Sequence, residues 1–341
     1  MQVIVHGGAG SDPDEPEPRQ AVLDEAAATG SAESSVVDAV EAAVHVLESS
    51  PRFNAGVGGA VQSDGVIRTD AGVMTSDREA GAACSMPGVE RAVSAARVVM
   101  EETPHVLVSG EHAVELAADY GVVELRSTAR ETESHGVETG VDLWAEKTRE
   151  KWADLDDVPD GSPSDHLDWL RAKFGGTPDS ADDDSEADGG DSEGTGRNSV
   201  ESDDGTAESD GEFKDHDTVG AVAFDPDRDE FAAATSTGGR WLALAGRVGD
   251  VPQIGSGFFA APAGGASATG AGEDIAKATL TRRAVRHLES GLGGQAAADR
   301  AIEEFGELTG SAAGVIVLDR HGNAGSAFNS DAMQTAVASE R

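Results

Sequence analysis

One threonine, Thr218, has the chemistry of a nucleophile if the chain is cut directly before it. It stands in the segment His216-Asp217-Thr218-Val219-Gly220, between a long acidic stretch and a β-rich run. A threonine freed at an N-terminus carries a hydroxyl nucleophile and an α-amine base on one residue. A threonine that opens a strand is otherwise ordinary, because β-branched residues favour strands. The rest of the sequence must therefore distinguish a catalytic from a structural threonine.

Three later segments carry further polar groups among glycines. They are Thr235-Ser236-Thr237-Gly238-Gly239, Gly246-Arg247-Val248-Gly249-Asp250 and Ala268-Thr269-Gly270-Ala271-Gly272-Glu273. A guanidinium binds a carboxylate in a bidentate fork, and an aspartate suits an ammonium. The alternatives are a surface ion pair in the second segment and a helix N-cap threonine in the third.

Together these segments resemble the plant-type asparaginase / isoaspartyl peptidase family of N-terminal-nucleophile hydrolases. The N-terminal half adds His6-Gly7-Gly8-Ala9-Gly10, Phe53-Asn54-Ala55-Gly56-Val57-Gly58 and Asp70-Ala71-Gly72-Val73-Met74, and the C-terminal end adds Gly314–Asp319 and Phe328-Asn329-Ser330. The resemblance covers the chain except roughly residues 125–215. One departure is Asp217, since the family often has glycine before the nucleophile.

The resemblance implies that the precursor cuts itself between Asp217 and Thr218, giving chains 1–217 and 218–341. Thr218 Oγ would then attack the side-chain amide or isopeptide carbonyl of the substrate. The freed α-amine, with an unperturbed pKa of about 7.7–8.0, would take the proton.

The resemblance also implies roles for the other residues of these segments. Thr237 would orient Thr218, and the Thr269 hydroxyl with the Gly270 N–H would form the oxyanion hole. For the substrate head group it implies Arg247 at the α-carboxylate, Asp250 and the Gly272 carbonyl at the α-ammonium, and Asn54 beside them. It implies no catalytic metal or cofactor; some relatives hold a sodium ion with backbone carbonyls, here in a loop over about Leu47–Gly58.

The implied activity is hydrolysis of L-asparagine and of β-aspartyl (isoaspartyl) dipeptides by a homodimer of cleaved protomers, (αβ)2. A glycosylasparaginase is the first alternative, and Gly238-Gly239 argues against it because such relatives tend to have Asn-Gly there. The second alternative is an uncleaved, non-catalytic homologue that acts as a binding or scaffold protein.

The charge of the chain is strongly negative, with 64 acidic and 25 basic residues and a formal net charge of -39. Residues 176–215 contain fifteen of the acidic and two of the basic residues, so most of the charge lies elsewhere. This distribution favours a surface adapted to high salt over an ordinary acidic protein with an acidic linker. It makes nucleic acid and anionic membranes poor partners. Without a signal peptide or a long apolar stretch, the expected location is the cytoplasm.

The hydrophobic pattern predicts an α+β fold in which helices cover antiparallel sheet, and the resemblance implies a four-layer αββα sandwich of the N-terminal-nucleophile (Ntn) hydrolase type. Residues 1–175 would form the α-subunit part, 176–217 a disordered acidic linker, and 218–341 the β-subunit part. Among the elements, the pattern predicts a first strand over residues 3–5 ending at Gly7, helices over residues 34–48 and 92–101, and one helix over residues 273–291.

Overall fold

The computed structural model describes residues 1–125, 139, 141–174 and 218–340. These residues form a mixed structure of sheets and helices, consistent with the predicted α+β class. The predicted linker over residues 176–217 and the cleavage position Asp217 lie outside the described residues. No helix in the described parts of the chain is long and apolar enough to cross a membrane.

Seven strands form the larger sheet, in the order β11-β1-β5-β6-β2-β3-β4. Their bounds are β1 Gln2–Gly10, β2 Arg68–Thr75, β3 Ala80–Pro87, β4 Leu107–Ser109, β5 Val219–Asp225, β6 Glu230–Thr237 and β11 Ala332–Ser339. All neighbours are antiparallel except β3 and β4. Because β1 pairs with both β5 and β11, strands from the two ends of the chain share one sheet.

Four strands form the smaller sheet, in the order β10-β9-β8-β7. Their bounds are β7 Phe258–Ala261, β8 Gly264–Gly270, β9 Ala313–Asp319 and β10 Ala324–Phe328. The two sheets contact each other through β1, β2, β5 and β6 on one side and β7, β8 and β9 on the other. Large apolar side chains fill this contact, including Phe224, Phe231, Phe258 and Ile316.

The helices pack against both sheets. Strands of the larger sheet contact α1 Pro16–Ser31, α2 Val36–Glu48, α3 Ala92–Glu102 and α4 Gly110–Asp119, and the smaller sheet contacts α7 Gly272–Ala278, α8 Leu280–Glu289 and α9 Gly294–Thr309. Two further helices, α5 Glu146–Ala153 and α6 Pro163–Phe174, lie in the segment that carries three of the four tryptophans. The helix predicted over residues 34–48 is confirmed as α2, whose first turn is capped by the Ser35 side chain accepting from the Asp38 N–H at 3.1 Å.

Two predicted boundaries are wrong. Strand β1 continues through the glycines to Gly10, with an irregularity between His6 and Ala9, because β11 supplies a pairing partner there. The helix predicted over residues 273–291 is two helices, separated at Thr279, whose φ of 53° is left-handed and cannot continue an α-helix. Strands rich in glycine and alanine, such as β2 and β8, were not predicted, since they lack an alternating apolar pattern.

Candidate active site

The hydroxyls of Thr218 and Thr237 meet at the ends of two paired strands. Thr218 directly precedes β5, Thr237 is the last residue of β6, and Val219 lies opposite Ser236 in the antiparallel pairing. The Thr218 hydroxyl donates to Thr237 Oγ1 at 3.1 Å, and both side chains are buried. Residues that are nineteen positions apart in the chain are thus brought into direct contact by strand register.

Thr237 is itself held by the loop that contains Asn54. Its Oγ1 accepts from the Gly239 N–H at 3.2 Å and donates to the Asn54 carbonyl at 3.4 Å. The Asn54 amide donates to the Gly239 carbonyl at 2.6 Å and accepts from the Ala60 N–H at 2.8 Å. Asn54 therefore ties the turn after β6 to the N-terminal half of the chain.

A cleft of about 460 Å³ opens next to the two threonines. Its lining includes all but one of the residues predicted for catalysis and substrate binding: Asn54, Thr218, Thr237, Arg247, Asp250, Gly270 and Gly272. The exception is Thr269, which is fully buried in β8 and accepts from the Ala9 N–H at 3.3 Å. Its neighbour Gly270 has a φ of 135°, which favours glycine, so the wall of the cleft bends at this residue.

Arg247 and Asp250 converge on Gly272 at one end of the cleft. A Cβ on Gly272 would lie 2.7 Å from Asp250 Oδ1 and 2.9 Å from Arg247 Nη2. Only glycine leaves the space between the two charged groups open. Glu273 holds the arginine, since its Oε1 accepts from Arg247 Nε at 2.9 Å and lies 2.8 Å from Nη2.

Asp250 is buried in this corner, and its Oδ2 has no hydrogen-bond partner among the described residues. The pKa of Asp250 is raised to about 7, mainly by burial; the carboxylates of Glu273 and Asp70 contribute to the rise, while Arg247 opposes it. A cation placed at Oδ2 would supply the partner that this oxygen lacks and would offset the cost of ionising the buried carboxyl. The corner is therefore suited to a ligand that carries a carboxylate and an ammonium together.

Two acidic residues near the site, Glu273 and Asp70, were not predicted to have a role, although both stand in segments that the sequence analysis selected. Asp70 lies opposite Thr237 in the β2–β6 pairing, and its Oδ1 accepts from the Ser85 N–H at 2.6 Å. Burial raises its pKa to about 7, against the lowering effects of that bond and of Arg247. No local pattern links either acid to Arg247.

Two further contacts between buried polar side chains involve β6, which ends at Thr237, and β8, which contains Thr269. Ser236 donates to Glu48 Oε1 at 2.6 Å, and His6 Nε2 lies 2.9 Å from Ser267 Oγ. Burial lowers the pKa of His6 to about 3, so its ring is neutral. The first contact joins β6 to α2, and the second joins β1 to β8.

The loop over residues 47–58 was expected to offer backbone carbonyls to a sodium ion. A Cβ on Gly58 would lie 2.8 Å from the Phe53 carbonyl oxygen and 3.0 Å from that of Pro51, so two carbonyls approach one point. Among the described residues, no group of three or more His, Cys, Asp or Glu side chains is placed to hold a metal ion.

The chain is similar to known proteins along its whole length. The family model described as Asparaginase matches residues 1–341. The chain is 36% identical to the plant-type L-asparaginase of Pyrococcus abyssi, covering 100% of this chain and 97% of that protein. It is 37% identical to the plant-type L-asparaginase of Pyrobaculum calidifontis, covering 97% and 94%. It is 33% identical to the isoaspartyl peptidase/L-asparaginase of Danio rerio, covering 99% and 92%.

Proposed function

Because this chain belongs to the asparaginase family, we propose that it is an autoprocessing threonine hydrolase that converts L-asparagine to L-aspartate and ammonia and cleaves β-aspartyl dipeptides. The observation that carries the proposal is the shared cleft, in which the Thr218–Thr237 hydroxyl pair faces the same space as Arg247 and Asp250. A nucleophile and a site for an amino-acid head group are thus next to each other. The fold we propose is the four-layer αββα Ntn-hydrolase sandwich, which the contacts of the two sheets and their helices support.

In the proposed maturation step, Thr218 attacks the peptide bond that precedes it in its own chain. Its Oγ adds to the carbonyl carbon of Asp217 and the hydroxyl proton passes to the peptide nitrogen. The C–N bond then breaks, which frees the α-amine of Thr218 and leaves an ester between the two parts. Water then hydrolyses the ester, which restores the hydroxyl and leaves a carboxylate on Asp217. The products are chains 1–217 and 218–341.

Turnover repeats this chemistry on the substrate. The α-amine takes the proton of the Thr218 hydroxyl as Oγ attacks the side-chain carbonyl, and it passes that proton to the departing ammonia or amino acid. A β-aspartyl ester remains on Thr218, and water releases L-aspartate from it. Thr237 orients the nucleophile, which the 3.1 Å bond between the two hydroxyls supports.

The negative oxygen that develops during attack needs hydrogen-bond donors, and we assign them to the Thr269 hydroxyl and the Gly270 N–H. Gly270 lines the cleft, while Thr269 lies directly behind it in β8. Each donor of this kind is worth about 2.7–4 kcal/mol in other hydrolases. The substrate head group binds with its α-carboxylate on Arg247 and its α-ammonium between Asp250 Oδ2 and the Gly272 carbonyl, and Asn54 shapes the opposite wall.

A sodium ion held by the carbonyls of Pro51 and Phe53 would fix the loop in which Asn54 lies, without taking part in the reaction. The approach of both carbonyls to Gly58 supports this assignment.

At the level of the molecule, we propose an (αβ)2 dimer of cleaved protomers that works at high salt in the cytoplasm. The net charge of -39 supports adaptation to salt, because screening relieves the repulsion between surface carboxylates.

The test is the state of the chain after purification in molar KCl, measured by intact mass and SDS gel. Wild-type protein and a Thr309→Ala control should give two fragments that meet at Asp217 and Thr218, and Thr218→Ala should give one chain. The wild type should also release aspartate from L-asparagine and from a β-aspartyl dipeptide. One uncut chain in the wild type, or two fragments from Thr218→Ala, would overturn the proposed nucleophile.

A further inference from the structure

Arg240 is a cation on the wall of the cleft that the proposed reaction does not use. It follows the Gly238-Gly239 turn and lines the same cleft as Thr218. Its side chain is exposed, and it makes no ion pair and no side-chain hydrogen bond with the described residues.

The two other cations of the cleft are already paired. Arg247 is held by Glu273 at 2.8 Å, and Lys277 lies 3.3 Å from Asp274. Arg240 is close enough to Glu273 to contribute to the lowered pKa of that carboxyl, although burial opposes the lowering and Arg247 is its main cause. Arg240 therefore lines the cleft within electrostatic reach of Glu273, and its guanidinium makes no ion pair with the described residues.

The backbone around Arg240 is fixed on both sides. The Gly238 N–H donates to the Asn54 carbonyl at 2.8 Å, and the Asn54 amide donates to the Gly239 carbonyl at 2.6 Å. After Arg240, the Leu242 N–H donates to the Val61 carbonyl at 2.8 Å. These bonds fix the backbone that carries the guanidinium, so the remaining ordering cost on binding a ligand comes from the arginine side chain itself.

The chemistry of the substrates shows what this cation could bind. In L-asparagine the only carboxylate and ammonium belong to the head group, which Arg247 and Asp250 take. A β-aspartyl dipeptide adds one charged group, the α-carboxylate of the leaving amino acid, since the amine of that amino acid is inside the isopeptide bond. The leaving amino acid of a β-aspartyl dipeptide thus carries one carboxylate that a cation could bind. The leaving group of glycosyl-asparagine carries none.

We propose that Arg240 binds the α-carboxylate of the leaving amino acid and so favours β-aspartyl dipeptides among the substrates of this cleft. The inference rests on the proposed function of the same site. Arg240 would then determine substrate preference, because the ammonia that leaves L-asparagine has no carboxylate for the guanidinium to bind.

The test compares three substrates: L-asparagine, β-aspartyl-alanine and β-aspartyl-alaninamide, which lacks the leaving carboxylate. Arg240→Ala should lower kcat/KM for β-aspartyl-alanine by about tenfold, mainly through KM, as expected for a lost charged hydrogen bond. The values for L-asparagine and for the amide should stay within about twofold, a change too small for a lost hydrogen bond. Arg240→Lys should retain part of the preference for β-aspartyl-alanine over its amide, because lysine keeps the positive charge but cannot bind a carboxylate through two parallel hydrogen bonds.

Lys277→Ala is the matched control, because it removes another cation from the cleft without removing the guanidinium. If Lys277→Ala and Arg240→Ala have the same effect, or if Arg240→Ala changes all three substrates equally, the inference is overturned. Wild-type turnover of L-asparagine measures the proposed function separately. A wild type that hydrolyses L-asparagine but shows no preference for the dipeptide over its amide overturns the role of Arg240 alone.

Discussion

The hydroxyl of Thr218 is the first of a short series of hydrogen bonds that crosses between the two halves of the chain. Thr218 donates to Thr237, Thr237 contacts the Asn54 carbonyl, and the Asn54 amide returns to Gly239. Each group has a partner with defined geometry, so the rotamer of the Thr218 side chain is set by its surroundings. Such preorganisation lowers the entropic part of the activation barrier for the proposed attack by the Thr218 hydroxyl.

Glu48 is a second residue whose surroundings determine its behaviour, and it gives a prediction for stability. It is fully buried, and its Oε1 accepts from Ser236 at 2.6 Å and from the Val93 N–H at 3.0 Å. Its pKa is raised to about 8, mainly by burial and in part by nearby Glu90 and Glu41, against the effect of these two bonds. The folded state therefore keeps a proton on Glu48 at a pH at which the unfolded chain has released it.

The sign of the pH effect follows from this difference. Between the unfolded pKa near 4.5 and the folded pKa of about 8, unfolding releases a proton, so Glu48 lowers the free energy of unfolding as pH rises. The slope is at most about 1.4 kcal/mol per pH unit. Glu48→Gln keeps the acceptor and removes the titration. Urea denaturation at constant KCl should show the variant gaining stability relative to wild type between about pH 5 and about pH 8.

The exposed Glu25→Gln is the control for this measurement, and its stability should stay parallel to that of the wild type over the same range. Parallel curves for Glu48→Gln as well would mean that Glu48 does not hold its proton in the folded state.

At the scale of elements, the contact between the two sheets depends on a glycine. Gly72 of β2 faces Phe258 of β7, and a Cβ at position 72 would overlap the phenylalanine ring. Both strands lead toward the site: β2 pairs with β6, which ends at Thr237, and β7 pairs with β8, which carries Thr269. The distance between the sheets at this point therefore affects the positions of Thr237 and Thr269 together.

Gly72→Ala should lower the free energy of unfolding by about 1–3 kcal/mol, because it overpacks a core that has no room for a methyl group. Phe258→Leu in the same chain should recover part of this loss, since the smaller side chain makes space. Denaturant unfolding of both single variants and the double variant gives the coupling between them. Additive losses would show that the two positions are not in steric contact.

At the scale of the whole molecule, the charge is the dominant property. The formal net charge of -39 belongs mainly to residues outside the acidic segment 176–215, so carboxylates surround the folded part of the chain. Salt shortens the range of their repulsion from about 10 Å at 0.1 M to about 3 Å at 1 M. Stability and assembly should both depend on this screening.

The expected result is a thermal unfolding temperature that rises with KCl between about 0.1 M and about 1 M, where the screening length falls from about 10 Å to about 3 Å. Sucrose at matched osmolality is the control, because it favours compact states without screening charge. An unfolding temperature that is insensitive to KCl, or that rises equally in sucrose, would contradict adaptation through charge.

The sequence by itself determined the residues that could do the chemistry. Thr218, Thr237, Thr269, Arg247 and Asp250 stand in short glycine-bounded segments, and such segments can be recognised because turn and strand-end chemistry is local. The sequence also predicted the helix over residues 34–48, where apolar residues recur on one face. The net charge and its distribution along the chain could be counted directly from the sequence.

Only the tertiary structure decided which groups meet. The bond of Arg247 to Glu273, the position of Thr269 behind the cleft and the open guanidinium of Arg240 each depend on contacts between distant segments. The strands β2, β8 and β11 and the break at Thr279 also escaped prediction. The physical reason is the same throughout: pairing partners and packing against other elements override local preference, and neither is encoded in neighbouring residues.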